Sequence, residues 1–420
     1  MPLHATKELA NGAYGYALKQ LAGCGGHDVI CYFVDQAGEV VKKHKVLLVV
    51  RWPIGGIRSF FRYVYRHFDA SKYEFVLVAP AVAEADLLVH DLAGLGIEYI
   101  ALDKNSGNRE LFFAVTRLIR NGRFGLVHSH GFTAAVCSAA GCRLTRTAHI
   151  TTLHETLDDG HFIGIKGRLK KHAMGAILST VDAIHCVSDD ARDNLLAYLK
   201  VLRRFQRKLV VVPHGIDVAR FQSSTARDLR KELGLAPDTF LVGFLGRYMP
   251  EKGFRFLVDA LQQLKNQHGL RRRPLLLSFG PDDAYIREER NRTGRMGLSE
   301  SVRFLPFVAD VAATLKGLDV VAMPSLREAA GLVAMETMVA GIPLIATECI
   351  GLREVIRDTP AYAVPPRDVA ALAHALLAEM TNPTTAKARQ FAAEAASRFR
   401  ADRQAAAIER LMLGFLERST

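Results

Sequence analysis

Apolar and polar positions along this chain fall into two successive series of short strand-like runs, with helical periods between them. The first series reads Lys45 to Val50, Glu74 to Ala79, Ile97 to Leu102, Leu126 to Ser129, Ala148 to Leu153, Ala183 to Ser188 and Leu209 to Val212. The second reads Phe240 to Leu245, Leu275 to Phe279, Val302 to Leu305, Val320 to Met323, Leu344 to Thr347 and Tyr362 to Val364. Runs that are apolar throughout, instead of alternating, belong to strands covered on both faces, so each series predicts an α/β unit with a parallel sheet between helices. A polar stretch from Gln222 to Asp238 divides the two, and a boundary near residue 222 fits it. Two further helical patterns, Ala386 to Arg398 and Arg403 to Glu417, are rich in Ala, Arg, Glu and Leu. Residues 1–44 carry Gly12, Gly15 and Gly25-Gly26 among scattered aromatics and fit neither series. No repeat of solenoid length is visible.

Candidate chemistry gathers in the second series. The run Leu318 to Met323 reaches Pro324 and Ser325, and Gly331 then opens a run of helix formers. Glu328 is therefore predicted in a strand-to-helix turn and Glu336 inside the helix. Eight residues of helix span about 12 Å, and a carboxylate accepts two hydroxyl protons at once, so the pair suits a diol at each end of one ligand. Between them, the helix start at Gly331, Leu332 and Val333 offers free N–H groups and a partial positive charge, a ready site for phosphate. The implied order is sugar, diphosphate, ribose. Upstream, Gly246-Arg247-Tyr248-Met249-Pro250-Glu251-Lys252-Gly253 joins a buried strand to a helix. Loops at the carboxyl ends of parallel strands line the ligand crevice of doubly wound folds, where Arg247 and Lys252 can neutralise a diphosphate. In the first series, Gly55-Gly56 allow close backbone approach to the same phosphates.

A Gly-Arg-(four residues)-Lys-Gly loop followed about eighty residues on by Pro-Ser-(two residues)-Glu-(seven residues)-Glu resembles family 4 of the retaining glycosyltransferases. The resemblance extends over nearly all of the chain after residue 45, through Thr152-Leu153-His154-Glu155, Val187-Ser188 and Val212-Pro213-His214-Gly215-Ile216-Asp217. His214 stands where the family usually has asparagine. Ala329-Ala330 replace its usual glycine and aromatic, and Ile350-Gly351 precede Glu354 where two glycines are common. These departures bear on donor preference more than on reaction class.

The resemblance implies a GT-B architecture: two Rossmann-like domains, 45–222 and 223–395, facing each other across a cleft, with the segment 396–420 crossing back to the first. It also implies roles. Arg247 and Lys252 stabilise the leaving diphosphate, Glu328 orients the sugar, Glu336 holds the ribose, and His154 faces the sugar from the first domain. Base contacts are expected from the backbone near Val308. Family members retain anomeric configuration, and no carboxylate nucleophile on the opposite sugar face is apparent, which implies front-face transfer. The donor is expected to be a UDP-, GDP- or ADP-sugar. With no Asp-x-Asp triplet in the sequence, no essential metal and no other cofactor are expected.

At 420 residues the chain accommodates two domains with real cores. The net charge of +12 asks for an anionic partner. Arg58, Arg62 and Arg66 repeat every four residues after the glycine pair and are expected on one helix face. Lys166, Arg168, Lys170 and Lys171 lie beside Ile163, Ile165 and Leu169, as on a surface helix resting on anionic lipid. No aromatic platform accompanies the charge, so nucleic acid is not the expected partner. The six cysteines show no metal spacing, and neither a signal pattern nor an apolar run of bilayer length appears. The reading is a cytoplasmic hexosyltransferase, peripheral on the inner membrane face, acting on a lipid-linked glycan acceptor. A soluble sugar or sugar phosphate acceptor and a non-catalytic nucleotide-sugar-binding regulator stand as alternatives.

Overall fold

The computed structural model describes residues 33–34, 40–41, 43–265, 272–308 and 311–418. Apart from the short antiparallel pair Phe33–Val34 with Val40–Val41, the expected 1–44 extension lies almost wholly outside the described residues.

Both series form the parallel sheets that their apolar runs predict. The first sheet has seven strands in the spatial order Glu98–Leu102, Tyr73–Pro80, His44–Val50, Leu126–His130, Ala148–Leu153, Ala183–Cys186 and Leu209–Val211. The second has six, in the order Val302–Leu305, Pro274–Phe279, Phe240–Leu245, Val320–Met323, Leu344–Thr347 and Tyr362–Val364. Strand residues alternate between faces, so Val46, Leu48 and Val50 enter one core while Leu47 and Val49 enter the opposite one. Phe240, Val242 and Phe244 likewise part from Leu241. Each fully buried aliphatic side chain contributes about 1.5–3 kcal/mol of hydrophobic stabilisation, and this is what makes strands without a polar face worth forming.

The chain passes between the two units twice. Ile216 and Phe221 already belong to the second core, so packing changes hands ahead of residue 222. On the way back, helix Thr385–Arg398 still lies on the second unit, through Ala395 and Ala396. Helix Ala401–Leu416 then sets Ala405, Ile408, Met412 and Leu416, a helical stripe, into the core of the first. The two passages pair with each other: Ile216 N–H donates to Phe399 O at 2.8 Å, and Ala401 N–H to Ile216 O at 3.1 Å. A side chain at Gly215 would meet the Cα of Ala401 at 2.6 Å, so this crossing needs glycine.

Candidate active site

Three strand-to-helix loops of the second unit stack to make one wall of the cleft. Leu326 N–H donates to Glu251 O at 2.7 Å and Glu328 N–H to Ile350 O at 2.9 Å, which ties residues 324–331 to a loop on each side. Two glycines allow this closeness. A Cβ at Gly253 (φ 70°) would fall 1.9 Å from the Pro324 carbonyl oxygen, and one at Gly351 (φ 77°) 2.2 Å from that of Glu328. Lys252 Nζ thereby reaches both carboxylate oxygens of Glu328 at 2.7 Å, and Ser325 Oγ donates to Oε1 at 2.8 Å. The two residues were expected in separate roles; the fold places them in one ion pair. Gly331, left-handed at φ 56°, caps helix Leu332–Val339, whose first N–H groups, at Leu332 and Val333, precede any intrahelical carbonyl.

Arg247 closes this wall against the first unit. It is exposed, follows Gly246 (φ 142°), and its Nε lies 3.4 Å from where a Cβ at Gly55 (φ 57°) would stand. Gly56 next to it begins helix Gly56–Val64 with open space around it. The structure thus brings together Arg247 with Gly55 and Lys252 with Glu328. Val308 packs partly buried on the second core.

Glu336 differs from expectation. It is buried, and its Oε1 accepts a hydrogen bond from Tyr63 Oη of the first unit at 2.9 Å. Burial pushes its carboxyl up to about 7, against the Tyr63 bond and the charges of Arg220 and Arg62, which pull it down. A ribose hydroxyl reaching Oε1 must displace Tyr63.

The arginine face is also corrected. The helix ends at Val64, and Arg66 lies in the following 3-10 turn, where it pairs with Asp217 at 2.5 Å. Arg58 pairs with Asp91 at 2.8 Å. Neighbouring carboxylates therefore neutralise two of the three, and Arg62 directs its charge toward Tyr63 and Glu336. Helix Gly164–Thr180 does carry Lys166, Arg168 and Lys170 on the surface, beside Ile165 and Leu169, and follows an exposed Ile163. Lys171 lies over the rings of Phe162 and Tyr198. Among the described residues no helix is long and apolar enough to cross a membrane.

One feature escaped the sequence reading. His154, expected near the sugar, is one of five histidines around the Phe60 ring, with His128, His130, His185 and His214, at centroid distances of 5.2 to 6.4 Å. Burial drives every one of these imidazoles below its ordinary range, to about 4 for His185 and His214. The signal was the alternation His128-Ser129-His130 on one strand, which puts two imidazoles on one face. Apart from His154 Nδ1 and His214 Nε2, these ring nitrogens make hydrogen bonds, and among the described residues no three His, Cys, Asp or Glu side chains gather to hold a metal ion.

Comparison with known proteins bears on the family and the fold. A family model described as Glycosyltransferase Family 4 matches residues 54–220, and one described as Glycosyl transferases group 1 matches residues 239–382. The phosphatidyl-myo-inositol mannosyltransferase of Mycobacterium leprae is 31% identical over 277 residues, 64% of this chain and 67% of that one. The chain belongs to glycosyltransferase family 4. Another family 4 relative, the D-inositol 3-phosphate glycosyltransferase of Actinosynnema mirum, is 30% identical over 56% of this chain and 59% of its own length. For the enzyme of the same name in Jonesia denitrificans, 37% of the relative is spanned, so this chain covers less than two thirds of these two relatives. Among solved structures, Anabaena HepE in complex with UDP-glucose superposes with a TM-score of 0.74 at 21% identity, over 88% of this chain and 99% of that one. WaaG, a glycosyltransferase involved in lipopolysaccharide biosynthesis, gives 0.63 at 16% identity, over 84% and 99%. These likenesses establish the fold of this family 4 member as GT-B.

Proposed function

We propose that this protein is a retaining, metal-independent glycosyltransferase that moves a hexose from a nucleotide diphosphate sugar to a hydroxyl of a lipid-linked glycan, in surface polysaccharide or glycolipid assembly. The observation that carries the reading is the Lys252–Glu328 pair, held by stacked loops that lead into the helix start at Leu332. Breaking the bond from the anomeric carbon to the diphosphate builds negative charge on a phosphoryl oxygen. In this reading Arg247, Lys252 and the amides of Leu332 and Val333 are the donors that meet that charge. Lys252 and Ser325 occupy the Glu328 carboxylate, so it is better suited to sugar hydroxyls than to nucleophilic attack. The acceptor oxygen then joins the anomeric carbon on the face the diphosphate leaves, and the departing phosphoryl oxygen takes its proton. A UDP-sugar is the first choice of donor, after the ligand of HepE.

Melting curves with UDP-, GDP- and ADP-sugars, followed by assay of sugar released to water, test this reading. A ligand at a hundred times its Kd raises stability by about 2.7 kcal/mol. One donor should raise the melting temperature and be slowly hydrolysed; a shift without hydrolysis marks a binder, and neither effect with any donor refutes the reading.

The lipid-linked acceptor and a cytoplasmic, membrane-peripheral location rest on the exposed Ile163, Ile165 and Leu169 among Lys166, Arg168, Lys170 and Lys171. Flotation with anionic but not neutral liposomes supports them, and failure with both removes them. A soluble sugar phosphate acceptor is the second reading, favoured by the relatives named D-inositol 3-phosphate glycosyltransferase. It predicts a raised acceptor KM in Arg62→Ala without detergent or lipid.

A further inference from the structure

We propose that a one-way chain of buried hydrogen bonds locks His154 in the tautomer that leaves its Nδ1 lone pair bare, so that His154 meets the sugar as a hydrogen-bond acceptor only. The sugar contact rests on the function proposed above; the tautomer does not.

The chain starts at the Val212 carbonyl, which can only accept. His185 Nε2 lies 2.9 Å from it and must carry the proton, so a neutral His185 has a bare Nδ1. Thr152 Oγ1, 3.0 Å away, donates its single hydrogen to that Nδ1. Its oxygen is then left to accept from His128 Nε2 at 2.7 Å, which makes His128 Nδ1 bare. Tyr65 Oη donates to that nitrogen at 2.7 Å and accepts from His130 Nε2 at 3.2 Å. His130 Nδ1, bare in turn, accepts from His154 Nε2 at 3.1 Å. The last acceptor is His154 Nδ1, a buried atom with no hydrogen-bond partner among the described residues.

Reversing the polarity either gives up the Thr152–His185 bond, leaving a buried His185 Nδ1 unmet, or keeps every bond with a proton on both nitrogens of His185, a charge that burial, which holds that ring near 4, opposes at neutral pH. A second bare nitrogen lies nearby. His214 Nδ1 points at the Gly215 carbonyl at 3.3 Å, which leaves Nε2 unpartnered on a ring centred 6.4 Å from that of His154. A group bearing hydroxyl protons is what two such acceptors lack. Tyr65, Thr152, His128, His130 and His185 are thus positioning residues: each acts on the sugar through His154. A proton accepted at Nδ1 and passed inward would strand an imidazolium at His185, so the chain does not serve as a proton sink.

Histidine 15N NMR of the full chain at pH 7.5, with each ring assigned by the signals lost in its own substitution variant, tests the proposal without reference to activity. His154 is expected to show a protonated Nε2 and an unprotonated Nδ1; a proton on Nδ1 overturns the proposal. Thr152→Val cuts the link to the carbonyl anchor and leaves both polarities with equal numbers of unmet groups, so His154 should become a mixture of tautomers. A competent fraction near one half then lowers donor affinity about twofold. An unchanged His154 spectrum in folded Thr152→Val overturns the chain. Should that variant not fold, Tyr65→Phe interrupts the same chain at its middle and is read in the same way. Saturating the wild type with a donor sugar known to bind from its melting shift should move the Nδ1 resonance. Absence of that movement refutes the sugar contact and leaves the tautomer standing, so the two failures are distinguishable.

Discussion

Acidification is the perturbation for which the structure gives the largest magnitude. His128, His130, His149, His185 and His214 are at most 5% exposed, and burial holds each below the usual 6.5, to about 3 for His149 and about 4 for His185 and His214. A base whose folded pKa is depressed contributes stability that is complete above 6.5 and is lost as pH falls through 6.5 toward the folded value, because only the unfolded chain takes the proton. Relative to pH 7, each such histidine removes slightly more than about 1 kcal/mol at pH 5.5, so five together remove about 6 kcal/mol. Glu336 acts in the opposite sense: its folded pKa near 7 lies above the ordinary 4.5, so its cost is relieved as pH falls, returning about 2 kcal/mol over the same interval. The net loss of about 4 kcal/mol is a large share of the roughly 5–15 kcal/mol that holds a domain together. Urea unfolding followed by circular dichroism at pH 7 and 5.5 reads it directly. A midpoint that stays put or rises at pH 5.5 would refute the assignment of these imidazoles as neutral and buried.

Gly253→Ala should destabilise the second unit by about 2 kcal/mol or more, through a left-handed φ and a Cβ set 1.9 Å from the Pro324 oxygen; a change under about 0.5 kcal/mol in denaturant unfolding would contradict the stacked-loop account. Glu336→Gln should raise donor KM more than it lowers kcat, since a ribose contact is made equally in ground and transition states; a loss confined to kcat goes against it. Tyr63→Phe removes a buried bond to a carboxyl and should cost about 1.5–3 kcal/mol of stability, while leaving donor KM unchanged or lower because the ribose no longer competes for Oε1. A higher donor KM in that variant would show Tyr63 helping the donor instead of blocking it.

Fold class and strand positions were legible because apolar runs such as Val46 to Val50 and Val320 to Met323 had no polar face to spare, which only a doubly covered sheet satisfies. The Lys252 and Glu328 loops were legible from their spacing. Their ion pair was not, because it depends on Gly253 and Gly351 bringing three distant loops into contact. The ion pairs of Arg58 and Arg66 were hidden for the same reason: four-residue spacing describes one helix, while Asp91 and Asp217 come from elsewhere in the chain. The bond that Glu336 makes was not legible because Tyr63, its partner across the cleft, lies far away in sequence. The histidine chain was hidden because its members, spread from Tyr65 to the Val212 carbonyl, converge only once four parallel strands are in register.

Isothermal titration of UDP into the wild type, Arg247→Ala and Lys252→Ala tests the diphosphate site most directly. Charge-assisted bonds to phosphate are worth about 1.5–3 kcal/mol each, so each variant should bind at least about tenfold more weakly, with Arg247→Ala melting within a few degrees of the wild type and Lys252→Ala lower because Glu328 loses its cation. Affinity undiminished in both variants, with UDP bound tightly by the wild type, would place the diphosphate elsewhere and contradict the account.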